Sequence, residues 1–226
     1  MPVPQRSNLS SAQLSVRLVE FYAPTFEVEQ YAGFSILFPK SVRHSHQRRQ
    51  AEFFYGRLCA RHALCDLGSD PDVQVAIHLD GRPQWPAWAV GSITHTAKLA
   101  AAAVALHSQC KAIGIDVEDI LELTIAQEIA EEVLVPSELY RIIRKRLPFE
   151  LMISLSFSAK ESLFKAIYPI ENKFLDFQDM ELIDVDFANS IFRIVLSNRG
   201  EAANDQRVFL GRFRYCRDQV LTLITL

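Results

Sequence analysis

From Arg48 to Leu67, apolar residues recur at helical spacing (Phe53, Phe54, Leu58, Ala60, Leu64), and Gly68 follows as a natural helix stop. This helix sits between stretches that read as strands, so the chain is held to a mixed α/β plan. The first forty residues mix short apolar runs with Pro24, Gly33 and Pro39, a pattern of strands and turns. Val73 to Leu79 alternates as a strand does, and Asp80 to Pro86 is a turn-rich loop. Lys98–Leu106 and Ala112–Val117 read as two strands joined by a polar turn, although the alanines leave the first open to a helical reading. Beyond Asp119 the pattern turns helical over Thr124–Leu134. A second helix ends near Arg146 with Ser137 as its N-cap, and a third covers Leu151–Ile167, open to a break near Ser156–Ser158. Met180–Phe187, Ile191–Leu196, Val208–Tyr215 and Val220–Leu226 return to strands. The expectation is an α/β (α+β) fold of two lobes, residues 1–112 and 113–226, meeting near residues 110–115.

Composition limits the function. A net charge of −3 argues against a nucleic-acid binder, whose footprint is strongly basic. The longest apolar run, Leu99 to Leu106, is far too short to span a bilayer, so no transmembrane segment is expected. The start lacks the pattern of a secretory signal. Cys59, Cys65, Cys110 and Cys216 form no CxxC pair, which suits core residues in a reducing compartment, and a cytoplasmic protein is expected.

Four groups of residues have chemistry to offer. In Gly114-Ile-Asp-Val-Glu118, a strand would project Asp116 and Glu118 from one face while Ile115 and Val117 pack inward. Paired carboxylates of this kind suit Mg²⁺, and an exposed acidic strand end explains them as well. In Phe157-Ser-Ala-Lys-Glu-Ser-Leu-Phe-Lys165, Glu161 and Lys165 are four apart on one helix face, with Lys160 beside them. That set fits phosphoryl-type transfer, but Ser158-Ala-Lys-Glu161 also reads as a capping box and Glu161 with Lys165 as a surface ion pair. Gly91-Ser-Ile-Thr-His-Thr96 offers hydroxyls and an imidazole to an anion, or a structural histidine at a strand entrance. Arg43, His44, His46, Arg48, Arg49, Arg57, Arg61 and His62 make a basic run, ordinarily a solvated face, in which Arg49 and Arg57 are two helical turns apart. Arg82 adds a cation in a Gly-Arg-Pro loop. No Walker A, G-x-G-x-x-G or G-x-S-x-G motif is present.

Taken in order, Gly81-Arg-Pro83, Ser92-Ile-Thr-His95, Gly114-Ile-Asp-Val-Glu118 and Phe157–Lys165 resemble the motifs of the surfactin-type 4′-phosphopantetheinyl transferases. The Phe-Ser-Ala-Lys-Glu-Ser wording, after Leu147-Pro-Phe, is most similar to the enterobactin-synthetase component D subgroup. The resemblance covers residues 81–165. It implies a pseudo-twofold pair of α/β lobes with coenzyme A between them. It also implies a reaction, in which a serine of an apo carrier protein (peptidyl, aryl or acyl) attacks coenzyme A and 3′,5′-ADP leaves.

Carried over by position, Asp116, Glu118 and Glu161 would hold Mg²⁺. Glu161 would act as base, directly or through water, and Lys165 would stabilise developing charge and contact coenzyme A. Lys160 would contact the phosphates, Thr94 and His95 the 3′-phosphate, and Gly81, Arg82, Pro83 and Gln84 the adenine side, with Asp116 also beside coenzyme A. Arg49 and Arg57 match by spacing only, and Arg48 could replace Arg49. Thr94 and Thr96 stand where serines are common, Arg82 where lysine is frequent and Phe157 where many members have tryptophan; none of these removes a catalytic group. A monomer acting in siderophore or other non-ribosomal peptide biosynthesis is the expected context. The rival readings are an inactive coenzyme A- or carrier-binding module and a metal-dependent phosphodiester hydrolase.

Overall fold

The computed structural model describes residues 1–9, 11, 14–197, 206–216 and 218–226; the side chain of Cys216 lies outside the described residues. The chain divides into two compact units, residues 1–115 with Leu226 and residues 116–225. Both are α/β, as the sequence led us to expect.

The first unit carries β1 (Gln5–Arg6), β2 (Leu14–Glu20), α1 (Glu29–Gly33), α2 (Lys40–Arg43), α3 (Gln47–Asp66), β3 (Ala76–Ile77), β4 (Pro83–Gln84), β5 (Ala89–His95) and β6 (Leu99–Leu106). Helix α3 is the helix expected from the apolar spacing. It ends where Gly68 takes φ +91°, a left-handed conformation that glycine adopts without a Cβ penalty. The sheet order is β1-β2-β6-β5, all antiparallel. The alanine run is strand, not helix: Ala100 to Ala105 are buried on both faces of β6. Small side chains there let α3 approach closely, so that Cys59 Sγ lies 3.5 Å from the Ala100 carbonyl. Phe54, Leu58, Ala63 and Leu64 of α3 pack into this core with Val19, Ala100, Ala102 and Val104.

Three expectations for this unit need correction. Before residue 40 the chain forms one long strand, β2, and then short helices, because Phe26, Tyr31 and Ile36 turn inward to cap the aromatic cluster around Phe54. Val73–Leu79 shrinks to the two-residue β3, paired only with β4. Of the three cysteines with described side chains, only Cys59 is a core residue, Cys65 and Cys110 being half-buried.

Strand β7 (Ile113–Asp119) leads into the second unit, followed by α4 (Leu123–Val133), α5 (Pro136–Lys145), α6 (Phe149–Glu171), β8 (Met180–Asp186), β9 (Ile191–Ser197), β10 (Gln206–Cys216) and β11 (Gln219–Thr225). The sheet order is β7-β11-β10-β9-β8. Helix α6 runs unbroken through Ser156–Ser158 to Asn172, which closes it at φ +49°. Ser158 and Ser162, one turn apart, both meet the Thr222 hydroxyl of β11 at 2.8 and 2.7 Å. These buried bonds fix the rotation of α6 over the sheet and thereby the direction of Glu161 and Lys165. Ser137 is not an N-cap. Helix α5 begins at Pro136, and the Ser137 hydroxyl donates to Glu181. No helix among the described residues is long and apolar enough to cross a membrane.

Candidate active site

In the second unit, the two-residue repeat of β7 puts Asp116 and Glu118 on one side of the strand. Asp116 is buried at 3 % exposure, and its Oδ1 accepts a 2.6 Å bond from Lys165 Nζ of α6. Glu161, one turn before Lys165, lies close enough to feel both charges. Its carboxyl is held above the ordinary glutamate range by burial, with Lys165 opposing and Asp116 adding to the shift. Glu118 is pushed up to about 8, first by burial, then by the neighbouring Asp116, with Glu161 contributing and Lys165 opposing.

Asp116 thus holds the Lys165 ammonium, with Glu118 and Glu161 within electrostatic reach of both. That donor set, acidic, oxygen-only and undercompensated, fits a hard divalent cation. No three histidine, cysteine, aspartate or glutamate side chains among the described residues form a ready-made metal cage. Mg²⁺ does not require one, since it usually binds one or two carboxylates and completes its octahedron with water and substrate phosphate. The capping-box reading of Glu161 fails, because Ser158 is deep inside α6 with its hydroxyl on Thr222. An exposed surface pair also fails as an account of Lys165, whose 2.6 Å partner is the buried Asp116.

Lys160 does not join this group. It is fully buried, and its ammonium donates to Glu138 Oε2 at 2.6 Å, the Val133 carbonyl at 2.7 Å and the Phe177 carbonyl at 3.1 Å. All three ammonium donors are spent, so the expected phosphate contact is withdrawn. Glu138 in turn accepts from the Val135 and Leu182 amides. The pair ties the end of α4, the start of α5, the 3₁₀ turn Phe177–Asp179 and β8 together. Glu138 was not picked out from sequence, lying 22 residues from its partner.

In the first unit, α3, β5 and the β3–β4 hairpin enclose a cavity of about 360 Å³. Its lining includes Ser41, Ser45, Arg49, Glu52, Arg57, Gly81, Pro83 and His95. Arg57 is buried at 8 % exposure, its guanidinium 4.5 Å over the Phe53 ring and its Nε without a hydrogen-bond partner. Burial and then Arg49 pull its pKa down to about 10. Two guanidiniums that repel one another beside a cavity are the chemistry an anion would suit. Arg49 donates to His95 Nε2 at 2.7 Å. Arg48 and Arg49 are both largely exposed and both face Glu52, but Arg49 lines the cavity and Arg48 does not.

The other expected contacts in this unit divide. Gly81 and Pro83 line the cavity, and Gly81 takes φ +91° at the hairpin tip. Arg82 instead pairs with Asp80 at 3.0 Å, and Gln84 is exposed, neither being part of the lining. Thr94 is also absent from it. Ile93 and His95 face α3, so strand alternation turns the Thr94 side chain to the opposite, buried face of β5. The same alternation was readable from sequence for Asp116 and Glu118, and it would have separated Thr94 from His95. Sequence reasoning missed Glu52, although it lies four and three residues after Arg48 and Arg49.

Residues 38–105 match the 4′-phosphopantetheinyl transferase N-terminal domain, and residues 112–222 match the 4′-phosphopantetheinyl transferase superfamily. The chain is 36 % identical over 138 residues to enterobactin synthase component D of Escherichia coli (strain K12), covering 61 % of this chain and 64 % of that relative. It is 34 % identical over 198 residues to 4′-phosphopantetheinyl transferase Svp of Streptomyces mobaraensis, covering 84 % and 78 %. It is likewise 34 % identical to 4′-phosphopantetheinyl transferase Npt of Nocardia iowensis, covering 83 % and 85 %. With most of its length matched in this way, the chain belongs to the 4′-phosphopantetheinyl transferase family.

Proposed function

We propose that the protein transfers the 4′-phosphopantetheine arm of coenzyme A to a serine hydroxyl of an apo carrier protein, releasing 3′,5′-ADP, with Mg²⁺ as cofactor. The observation that carries this reading is the buried Asp116–Lys165 pair, with Glu118 and Glu161 within electrostatic reach of it. Asp116, Glu118 and Glu161 would hold the metal, which when bound neutralises the pyrophosphate and polarises the transferring phosphorus. The serine oxygen attacks the β-phosphorus that bears the pantetheine arm, and the bond from that phosphorus to the bridging oxygen breaks. The leaving oxygen departs on 3′,5′-ADP. Glu161, kept basic by burial, accepts the serine proton, and Lys165 offsets charge gathering on the phosphoryl oxygens.

The cavity of the first unit would take the nucleotide end, with Arg49, Arg57 and His95 on the 3′-phosphate and Gly81 with Pro83 on the adenine side. Binding energy spent there orients the reacting phosphorus without touching it. A peptidyl or aryl carrier of a siderophore or other non-ribosomal peptide route, served by a monomer in the cytoplasm, is the context we propose, and relatives named enterobactin synthase component D are compatible with that route. The test is direct: incubate the protein with Mg²⁺, coenzyme A and an apo carrier, and weigh the carrier. A gain of one phosphopantetheine, lost with a chelator and restored by Mg²⁺, is expected. Unchanged mass across peptidyl, aryl and acyl carriers would overturn the reading.

A further inference from the structure

Among the described residues, Glu52 is the one acidic side chain lining the cavity of the first unit, and it is buried at 7 % exposure. Its Oε1 accepts from Arg48 at 2.9 Å, while Oε2 faces both Arg49 at 3.6 Å and His95 Nδ1 at 3.7 Å. A buried carboxylate is out of place in a pocket meant for an anion, since its field opposes the ligand. Its geometry suggests what it does there. A guanidinium has only donors, so His95 Nε2 must accept from Arg49 and the ring proton must sit on Nδ1, towards Glu52. A phosphate arriving between Arg49 and His95 offers Nε2 only acceptors. His95 must then either move its proton away from Glu52 or gain a second one.

We infer that Glu52 is a positioning residue that makes His95 receive the anion as an imidazolium, with Nδ1–H on the carboxylate and Nε2–H on the phosphate. The charged groups lining the cavity are Arg49, Arg57, Glu52 and His95. The two arginines oppose a second proton on His95. Glu52 and an incoming phosphate favour it, and together they surround the ring with negative charge on both sides. Binding of a phosphate at this position is therefore coupled to uptake of a proton. The cost of keeping a carboxylate in an anion pocket is offset by selectivity, because an ordinary anion that does not reach His95 gains nothing from the relay.

This inference rests on the proposal that the cavity takes the 3′-phosphate, and binding measurements on the full chain separate the two. Titration calorimetry at pH 7.5 with adenosine 3′,5′-bisphosphate and with adenosine 5′-monophosphate, in two buffers of different ionisation enthalpy, reads affinity and protons exchanged. The wild type should prefer the bisphosphate and take up about one proton only with it. Glu52→Gln should lose most of that uptake and about tenfold of the preference, whereas Glu52→Asp, which keeps the charge, should retain most of both. A merely structural role would lower the melting temperature and weaken both ligands alike. Wild-type preference and proton uptake that persist in Glu52→Gln would overturn the role of Glu52. A wild type with no preference for the bisphosphate would overturn the phosphate assignment and this inference with it.

Discussion

The two functional regions use the same device to opposite ends. Each sets side chains of one long helix, α3 or α6, against a neighbouring strand, β5 or β7. On α3 the result is a cavity with two guanidiniums, one of them buried, and a single carboxylate. Between α6 and β7 it is the Lys165 ammonium with Asp116, Glu118 and Glu161. The cationic cavity carries its countercharge within itself, as Glu52 facing Arg49 and His95. In the acidic group, burial and neighbouring carboxyls raise the pKa of Glu118 and Glu161, with Lys165 opposing. A second contrast lies within α6, where Lys160 and Lys165 differ by five positions. Lys160 is sealed into Glu138 and two carbonyls, while Lys165 is partly exposed and faces the acidic group.

That contrast can be broken by substitution. Lys160→Met should cost about 3–5 kcal/mol, because Glu138 would be left buried without its charge partner; denaturant unfolding reads the loss, and catalysis by the protein that still folds should be nearly normal. Lys165→Met should do the reverse, lowering kcat about 100-fold with a smaller loss of stability than Lys160→Met. Lys165 is partly exposed, and its pair with Asp116 is less completely sealed than the Lys160–Glu138 pair. If the two variants exchanged phenotypes, the division of labour along α6 would be wrong.

A smaller effect follows from Glu118. Its carboxyl is raised to about 8 in the folded chain, against 4.5 ordinarily. The stability this provides is present below pH 4.5 and is lost as pH rises towards 8, because the unfolded chain releases the proton first. Without metal, this group should therefore lower the melting temperature across that window. Glu118→Gln should flatten the slope, and Mg²⁺ should protect most at its upper end. Smallest of all, Thr94→Val should change the coenzyme A KM by no more than about twofold, since Thr94 faces away from the cavity; a tenfold rise would return it to the binding site.

Sequence patterning made the frame of both regions legible. The spacing of Phe53, Leu58 and Leu64 marked α3, and the Asp116/Glu118 alternation gave the acidic face of β7. What stayed hidden depended on contacts distant in sequence. Nothing near Lys160 indicates that Glu138 will meet it, so a lysine beside Glu161 read as a phosphate ligand. Ser158-Ala-Lys-Glu161 imitates a capping box, and only the continuous burial of Met152, Ile153 and Leu155 upstream shows that the helix has already begun. Ala100–Ala105 fits helix by propensity, and burial on both faces in the centre of a sheet decides for strand.

The claim at the centre of this account is that Glu161 serves the acidic site as metal ligand and base, with no part in capping α6. Intact-mass kinetics of carrier modification by Glu161→Gln, beside its unfolding curve, test this most directly. The account predicts a fall in kcat of about 1,000-fold or more with an unaltered unfolding midpoint. Transfer at the wild-type rate, or a loss that only follows a loss of fold, would contradict it.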